Sequence, residues 1–329
     1  MHKSLGNGVD PLDMIKKYGA DLVRLWVASA DYRVDVRCSD NIFKQLSDAY
    51  RKIRNTARFL LADLYDFDPE KNAVPMNELT GIDAWIVAEM NELVRRARQA
   101  YDDFEFHVIF HDVNDFCTVQ LSKLYIDITK DRVYAEAADS KARRSAQTAM
   151  YYIISGLTRL LAPLLSFTAE EIWQAMPKRT GDVKESVFLN SLPTYDAALT
   201  LGDEAAAWDK LFDLREDVMK ALELARAEKR IGKSLDAKVT VYAEGDAYAL
   251  LHRFEAELPT LFIVSQVALV NGAAPVGAME EGAAIGVTVA AAEGEKCDRC
   301  WNYSTEAVHD GEEGCLCPRC HGVLALIKK

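Results

Sequence analysis

The sequence has no uninterrupted apolar stretch near the roughly 20 residues that a bilayer-spanning helix needs. Its opening residues, Met1-His2-Lys3-Ser4, lack the charged-then-apolar layout of a secretory signal. A cytoplasmic protein that makes no use of a membrane is the expectation. Positive charge is also short, with 39 lysines and arginines against 51 aspartates and glutamates and a formal charge of -12. Phosphate binding follows a local excess of cations, so this deficit excludes indiscriminate coating of nucleic acid and confines any such contact to local basic faces. Fixed-period repeats and low-complexity tracts are missing. So are a serine, histidine and acid set, paired catalytic carboxylates and a dinucleotide-binding glycine pattern, and nothing points to triad hydrolysis or hydride transfer.

Cysteine is sparse but patterned. Seven cysteines are an awkward odd number for a disulfide framework, whereas four in two short pairs suit a reduced compartment holding a metal. Cys297-Asp-Arg-Cys300 and Cys317-Pro-Arg-Cys320 form C-x2-C, sixteen intervening residues, C-x2-C. That spacing fits one tetrahedral zinc held by four thiolates. With every position filled by protein, the ion would hold fold rather than do chemistry. Redox-active dithiols are the rival reading. Cys315 lies two residues before Cys317 and could replace it, at poorer spacing from Cys320.

At 329 residues and 50% hydrophobic, the chain can bury at least two cores. Lys3-Ser4-Leu5-Gly6-Asn7-Gly8 reads as a glycine-punctuated loop. Asp10-Pro11 then caps a short helix to about Tyr18, Gly19 supplies a left-handed end, and Asp21 starts a second helix. From 39 to 200 the apolar period is helical. Phe43, Leu46, Tyr50, Ile53, Ala57, Leu60 and Leu64 make the first long face, and the spacing returns at 82–101, 113–133 and 149–164, which predicts a bundle of four long helices. A fifth helix over 204–230 gives way to a β-rich run at Val239-Thr240-Val241-Tyr242. Further β-rich runs at 261–270 and 284–290, with a helix near 248–257, predict a small α/β segment.

Met1-His2-Lys3-Ser4-Leu5-Gly6-Asn7 resembles the K-M-S-K-S signature of class I aminoacyl-tRNA synthetases from its second residue onward, and Val9-Asp10-Pro11, Lys17-Tyr18-Gly19-Ala20-Asp21 and Arg24-Leu25-Trp26 resemble the segment after it. The likeness is greatest to the isoleucyl-tRNA synthetases. Lys123-Leu124-Tyr125-Ile126-Asp127, Lys130-Asp131-Arg132 and Tyr134 resemble their helical bundle, and Cys297-x-x-Cys300-Trp301 their terminal zinc module. The resemblance covers essentially the whole chain. It implies that Lys3 stabilises charge on ATP phosphates during amino-acid activation and that Lys3 and Ser4 contact Mg-ATP. His2 departs from the pattern's serine, and the signature's first lysine would precede Met1.

The family's nucleotide-binding sheet with its H-I-G-H motif, and its editing domain, would also lie upstream. The chain is therefore expected to be the C-terminal portion of such an enzyme, a monomer that is inactive alone and meets ATP and isoleucine through the missing part. The implied division is 1–38, end of the catalytic domain; 39–200, helical anticodon-binding domain; 201–294, small α/β domain; and 295–329, zinc module. The fold class is thus mainly α. A stand-alone, non-enzymatic RNA-binding protein, and the corresponding part of a valyl- or leucyl-tRNA synthetase, remain as alternatives.

Arg51, Asn55 and Arg58 fall at i, i+4 and i+7 of the first long helix, with Arg54 beside them. The resemblance assigns Arg54, Asn55 and Arg58 to the anticodon stem and loop of tRNA(Ile), against the plainer reading of a solvated face. Trp301 either fills the core of the zinc module, the reading favoured here, or offers a nucleotide a stacking platform on the tRNA. Arg226, Lys229, Arg230 and Lys233 read as a solvated helix end, and Arg95, Arg96 and Arg98 as surface. His107, His111 and His309 show no ligand spacing with carboxylates.

Overall fold

The structure, a computed structural model, describes residues 9–279, 282–311 and 313–328. The chain divides into two compact units. One runs to Asp127 and resumes over Arg144–Thr200; the other takes Ile128–Arg143 and the chain from Leu201 onward.

The first unit is helical. Asp10 accepts from the Leu12 N–H at 2.8 Å to start α1 (Pro11–Tyr18), and Pro11 at the first position lacks an N–H that would otherwise go unsatisfied. Gly19 ends α1 with φ 90° and ψ 156°. The positive φ is the expected one, but ψ is extended rather than left-handed helical, because the chain passes straight into α2 (Ala20–Ser29). Ser39 caps α3 (Asp40–Asp63), whose Phe43, Leu46, Ile53, Ala57 and Leu60 are buried at the predicted spacing. Then follow α4 (Gly81–Asp102), α5 (Phe106–Asp115), a wider π-helical stretch (Phe116–Tyr125), α6 (Ile126–Ala135), which from Ile128 belongs to the second unit, α7 (Lys141–Leu161), which returns to the first at Arg144, and α8 (Ser166–Ala175).

The third predicted helix is thus present but wound differently. The Ile126 N–H donates to the Leu121 carbonyl and Ser122 Oγ to the Cys117 carbonyl, both i to i-5. Apolar residues every three or four positions cannot distinguish this winding from an α-helix. The unit's core is Leu25, Phe43, Leu60, Ile86, Met90, Ile109, Met150 and Trp173.

Two buried carboxylates organise the helices. Asp83 on α4 accepts from Tyr125 Oη at 2.8 Å and Ser145 Oγ at 2.6 Å, so three segments share one anion. Asp21 on α2 accepts from the backbone N–H groups of Phe167 (3.2 Å) and Thr168 (2.8 Å) and from Thr168 Oγ1 (2.6 Å). It caps α8 across 146 residues of sequence and places an anion at the positive end of that helix.

After its first segment, Ile128–Arg143, the second unit continues with α9 (Glu204–Ala227) and a three-stranded sheet of order β2-β1-β3. The central β1 (Ala237–Ala243) alternates buried and half-buried residues. It pairs parallel with β2 (Gln266–Asn271), through a crossover carrying α10 (Gly245–Arg253) and α11 (Leu258–Phe262), and antiparallel with β3 (Gly286–Ala291). The β-rich run expected from 261 begins five residues late. Pro259 starts a helical turn that buries Leu258, Leu261 and Phe262, and Ile263, left-handed at φ 56°, ends it.

The ribbon that follows has β4 (Glu295–Lys296) paired with β5 (Tyr303–Ser304), β6 (Val308–Asp310) paired with β7 (Gly314–Leu316), and then α12 (Pro318–Ile327). Among the described residues no helix is long and apolar enough to cross a membrane.

Asp21→Ala strands two backbone donors and a hydroxyl at the start of α8. It is expected to lower unfolding stability by about 1–3 kcal/mol, read by urea titration of the helical signal. An unchanged midpoint would show that the cap contributes nothing.

Candidate metal centre and nucleic-acid interface

The ribbon folds around sulfur. Cys297, Cys300, Cys317 and Cys320 are buried, and their sulfurs all lie within 4.8 Å of one another. Bound to a zinc at about 2.3 Å, tetrahedral thiolates would stand about 3.8 Å apart; Cys300 Sγ and Cys317 Sγ are already 3.7 Å apart. Four soft donors with no carboxylate among them suit zinc, and no position is left for water or substrate.

Local backbone chemistry builds each pair. In the first, the Trp301 N–H donates to the Cys297 carbonyl and the Cys297 N–H to the Asn302 carbonyl, both at 2.9 Å. In the second, Cys317 is the N-cap of α12, its sulfur facing the Cys320 N–H at 3.5 Å, where the helix dipole favours a thiolate. Asp298 joins the pairs: its N–H donates to the Cys315 carbonyl, and its carboxylate accepts from the Cys315 N–H, each at 2.8 Å. Gly314 sits at φ 80°, and a Cβ there would stand 2.4 Å from Asp298 Oδ2, so only glycine fits.

Without a cation the four thiols cannot all ionise. The hydrogen bond with Cys320 holds Cys300 well below the usual thiol range and pushes Cys320 up in turn. Burial, and then the charge of Cys300, raises Cys317. A divalent ion removes this conflict, which is the physical case for a metal there.

The residues between the cysteines reach the segment Ile128–Arg143 of the same unit. Arg319 holds Asp131 with two bonds of 2.5 and 2.9 Å, and Glu136 at 3.4 Å. Arg299 donates to the Ala135 carbonyl and faces Cys320 Sγ at 3.5 Å. Ala135 completes the small core with the four cysteines and Leu316. Sequence reasoning had no signal for this attachment, which joins residues 188 positions apart.

Trp301 is not the core residue that the sequence favours. It is 53% exposed, because sulfurs fill the interior it would have entered. Its backbone is left-handed at φ 67°, and the Lys233 ammonium lies 4.8 Å from its ring centroid. His309 also departs from the sequence reading, with Nε2 3.0 Å from Glu295 Oε2 across strands that spacing could not reveal.

On α3 the polar stripe divides. Arg54 is taken up by Tyr50 Oη (3.1 Å) and Glu171 (2.9 Å), and Arg51 by Asp48 at 2.5 Å. Asn55 and Arg58 are exposed and make no hydrogen bond or ion pair with the described residues. Asn55 borders a cavity of about 490 Å³ lined also by Lys52, Thr56, Phe59, Thr118 and Ser122. The π-helical winding supplies the last two, and the Ser122 hydroxyl meets that of Thr56 at 3.1 Å. These residues escaped the sequence reading because their placement depends on the winding. Arg95, Arg96, Arg226 and Arg230 are paired with acidic neighbours. Lys3 and Ser4 lie outside the described residues.

Three family profiles match the chain: "Anticodon-binding domain of tRNA ligase" over residues 83–241, "Zinc finger found in FPG and IleRS" over 294–321, and "tRNA synthetases class I (I, L, M and V)" over 1–39. The isoleucine–tRNA ligase of Syntrophotalea carbinolica is 49% identical over 98% of this chain and 35% of its own length. That of Carboxydothermus hydrogenoformans is 50% identical over 100% and 35%. The chain thus spans about a third of the length of the curated relatives it matches. Among solved structures, a leucyl-tRNA synthetase complex from Agrobacterium radiobacter K84 aligns at TM-score 0.45 and 14% identity over 75% of this chain and 24% of that one, too loose a likeness to bear on the fold.

Stripping metal with a strong chelator is expected to melt α12 and β4–β7 while β1–β3 and the helical unit stay protected, as read by amide exchange. Retained protection of α12 would mean that the ribbon holds together without an ion.

Proposed function

We propose, from the premise that the chain matches the C-terminal part of the isoleucine–tRNA ligases along its whole length, that it is the tRNA-binding part of such a ligase, an ATP-dependent enzyme that joins isoleucine to tRNA(Ile). The observation that carries the reading is Asn55, uncommitted at the edge of the cavity of about 490 Å³, with Arg58 exposed and uncommitted three residues further along the same helix. A free amide at the mouth of a pocket with Phe59 on its wall, and a free guanidinium nearly one turn along α3, suit an unstacked base and its phosphate.

In this reading Arg58 meets backbone phosphate, and Asn55 a base edge. Arg54 supports that face from behind, through Tyr50 and Glu171. Trp301, exposed and flanked by Lys233, is a second contact with the tRNA. One structural zinc held by Cys297, Cys300, Cys317 and Cys320 fixes that contact in place. Lys3 and Ser4 belong to the loop that closes over Mg-ATP. Isoleucine and the rest of the nucleotide are bound by parts of the enzyme that match no segment of this chain. The chain acts as a monomer, with tRNA as its macromolecular partner.

The reading makes three measurable claims. Filter binding of tRNA(Ile) across a salt series is expected to weaken steeply with salt; Arg58→Ala should reduce the slope by about 1, and Asn55→Ala should cost about 1–3 kcal/mol. Trp301→Gly suits the left-handed backbone, so it should leave zinc content and folding intact while weakening tRNA binding several-fold. The chain alone should give no isoleucine-dependent ATP–pyrophosphate exchange. Salt-insensitive binding, or full affinity in all three variants, would overturn the RNA assignment.

A further inference from the structure

Outside the four-cysteine cluster, Glu295 on β4, His309 on β6 and Cys315 on β7 bring a carboxylate, an imidazole and a thiol together. One ligand atom of each lies within 4.8 Å of the other two. Glu295 Oε2 stands 3.0 Å from His309 Nε2 and 3.9 Å from Cys315 Sγ. A tetrahedral zinc with bonds of about 2.0 Å to nitrogen and oxygen and about 2.3 Å to sulfur would set these edges near 3.3 and 3.5 Å. Each observed edge therefore needs only a few tenths of an ångström of adjustment, within reach of side-chain rotation.

The backbone already fixes the arrangement. His309 and Cys315 are direct cross-strand partners, so their side chains share one face of the hairpin. Cys315 is clamped at both its N–H and its carbonyl by Asp298, itself between two cysteines of the closed cluster. An ion pair between Glu295 and His309 accounts for two of the three groups but not for a thiol beside the same oxygen. Mixed sulfur, nitrogen and oxygen donors are the set that a borderline-soft divalent cation selects.

We propose that Glu295, His309 and Cys315 form a second divalent-metal site, of the zinc class and separate from the four-cysteine cluster. It differs from the closed cluster in two ways. Among the described residues only three protein ligands are present, so a fourth position stays open to water or an external ligand. The groups are also solvent-accessible, so the site fills after the closed one and empties before it. Filled, it clasps the β6–β7 hairpin to β4 and tightens the strands that flank the two cysteine pairs.

The test counts metal on the full chain. After stripping and reloading at controlled free zinc, native mass spectrometry should show two ions per chain. Cys315→Ser and His309→Ala should each weaken the second at least tenfold while keeping the first. Cobalt gives an independent reading: the weaker ion should add a thiolate-to-cobalt absorption that Cys315→Ser removes, leaving that of the four-cysteine site. Circular dichroism of both variants should match the parent, because neither side chain is buried. A single ion at saturating zinc would overturn the proposal, as would a second ion whose affinity changes less than tenfold in either variant.

Discussion

The gathering of four buried sulfurs within 4.8 Å of one another is the constraint on which the ribbon depends. The ribbon has little apolar interior: beside the cysteines it buries Leu316 and Val323, with Ala135 of α6 against them and Leu324 at the margin. Two-residue strands and a ten-residue helix cannot offset their own ordering entropy with so little buried surface. A cation held by the four thiolates would supply that energy. Around that demand the sequence places the αN-terminal cap at Cys317, the glycine at 314 and the two-way clamp of Asp298, each shaping backbone to bring the sulfurs together.

The helical unit solves a different problem with charge. Its buried anions, Asp21 and Asp83, each gather donors from distant segments, so the polar groups that a bundle must bury are satisfied where helices meet. With many surface cations paired to acidic neighbours, a chain of net charge -12 still presents small cationic places, such as Arg58 and Lys233.

Much of this was legible in the sequence, for identifiable reasons. The spacing of Phe43, Leu46, Ile53, Ala57 and Leu60 marks a helix because burial on one face requires that period, and C-x2-C pairs mark a metal because a turn of that length presents two sulfurs. The π-helical winding at Phe116–Tyr125 left no trace, since its apolar residues satisfy either period. Trp301 was misjudged because aromatic residues are usually inside, whereas here sulfur fills the inside. Pairings such as Arg319 with Asp131, Glu295 with His309 and Asp21 with Thr168 join residues that no local pattern relates.

The bond between Arg319 and Asp131 also has a meaning in time. A ribosome adds about 5–20 residues each second, so the 188 positions separating the two correspond to roughly 10–40 s of synthesis. Through that interval Asp131 and Glu136 are made but their arginine is not. The two carboxylates must wait without their arginine until the second cysteine pair is made, which makes the arrival of the four-cysteine ribbon a late event in the birth of this unit.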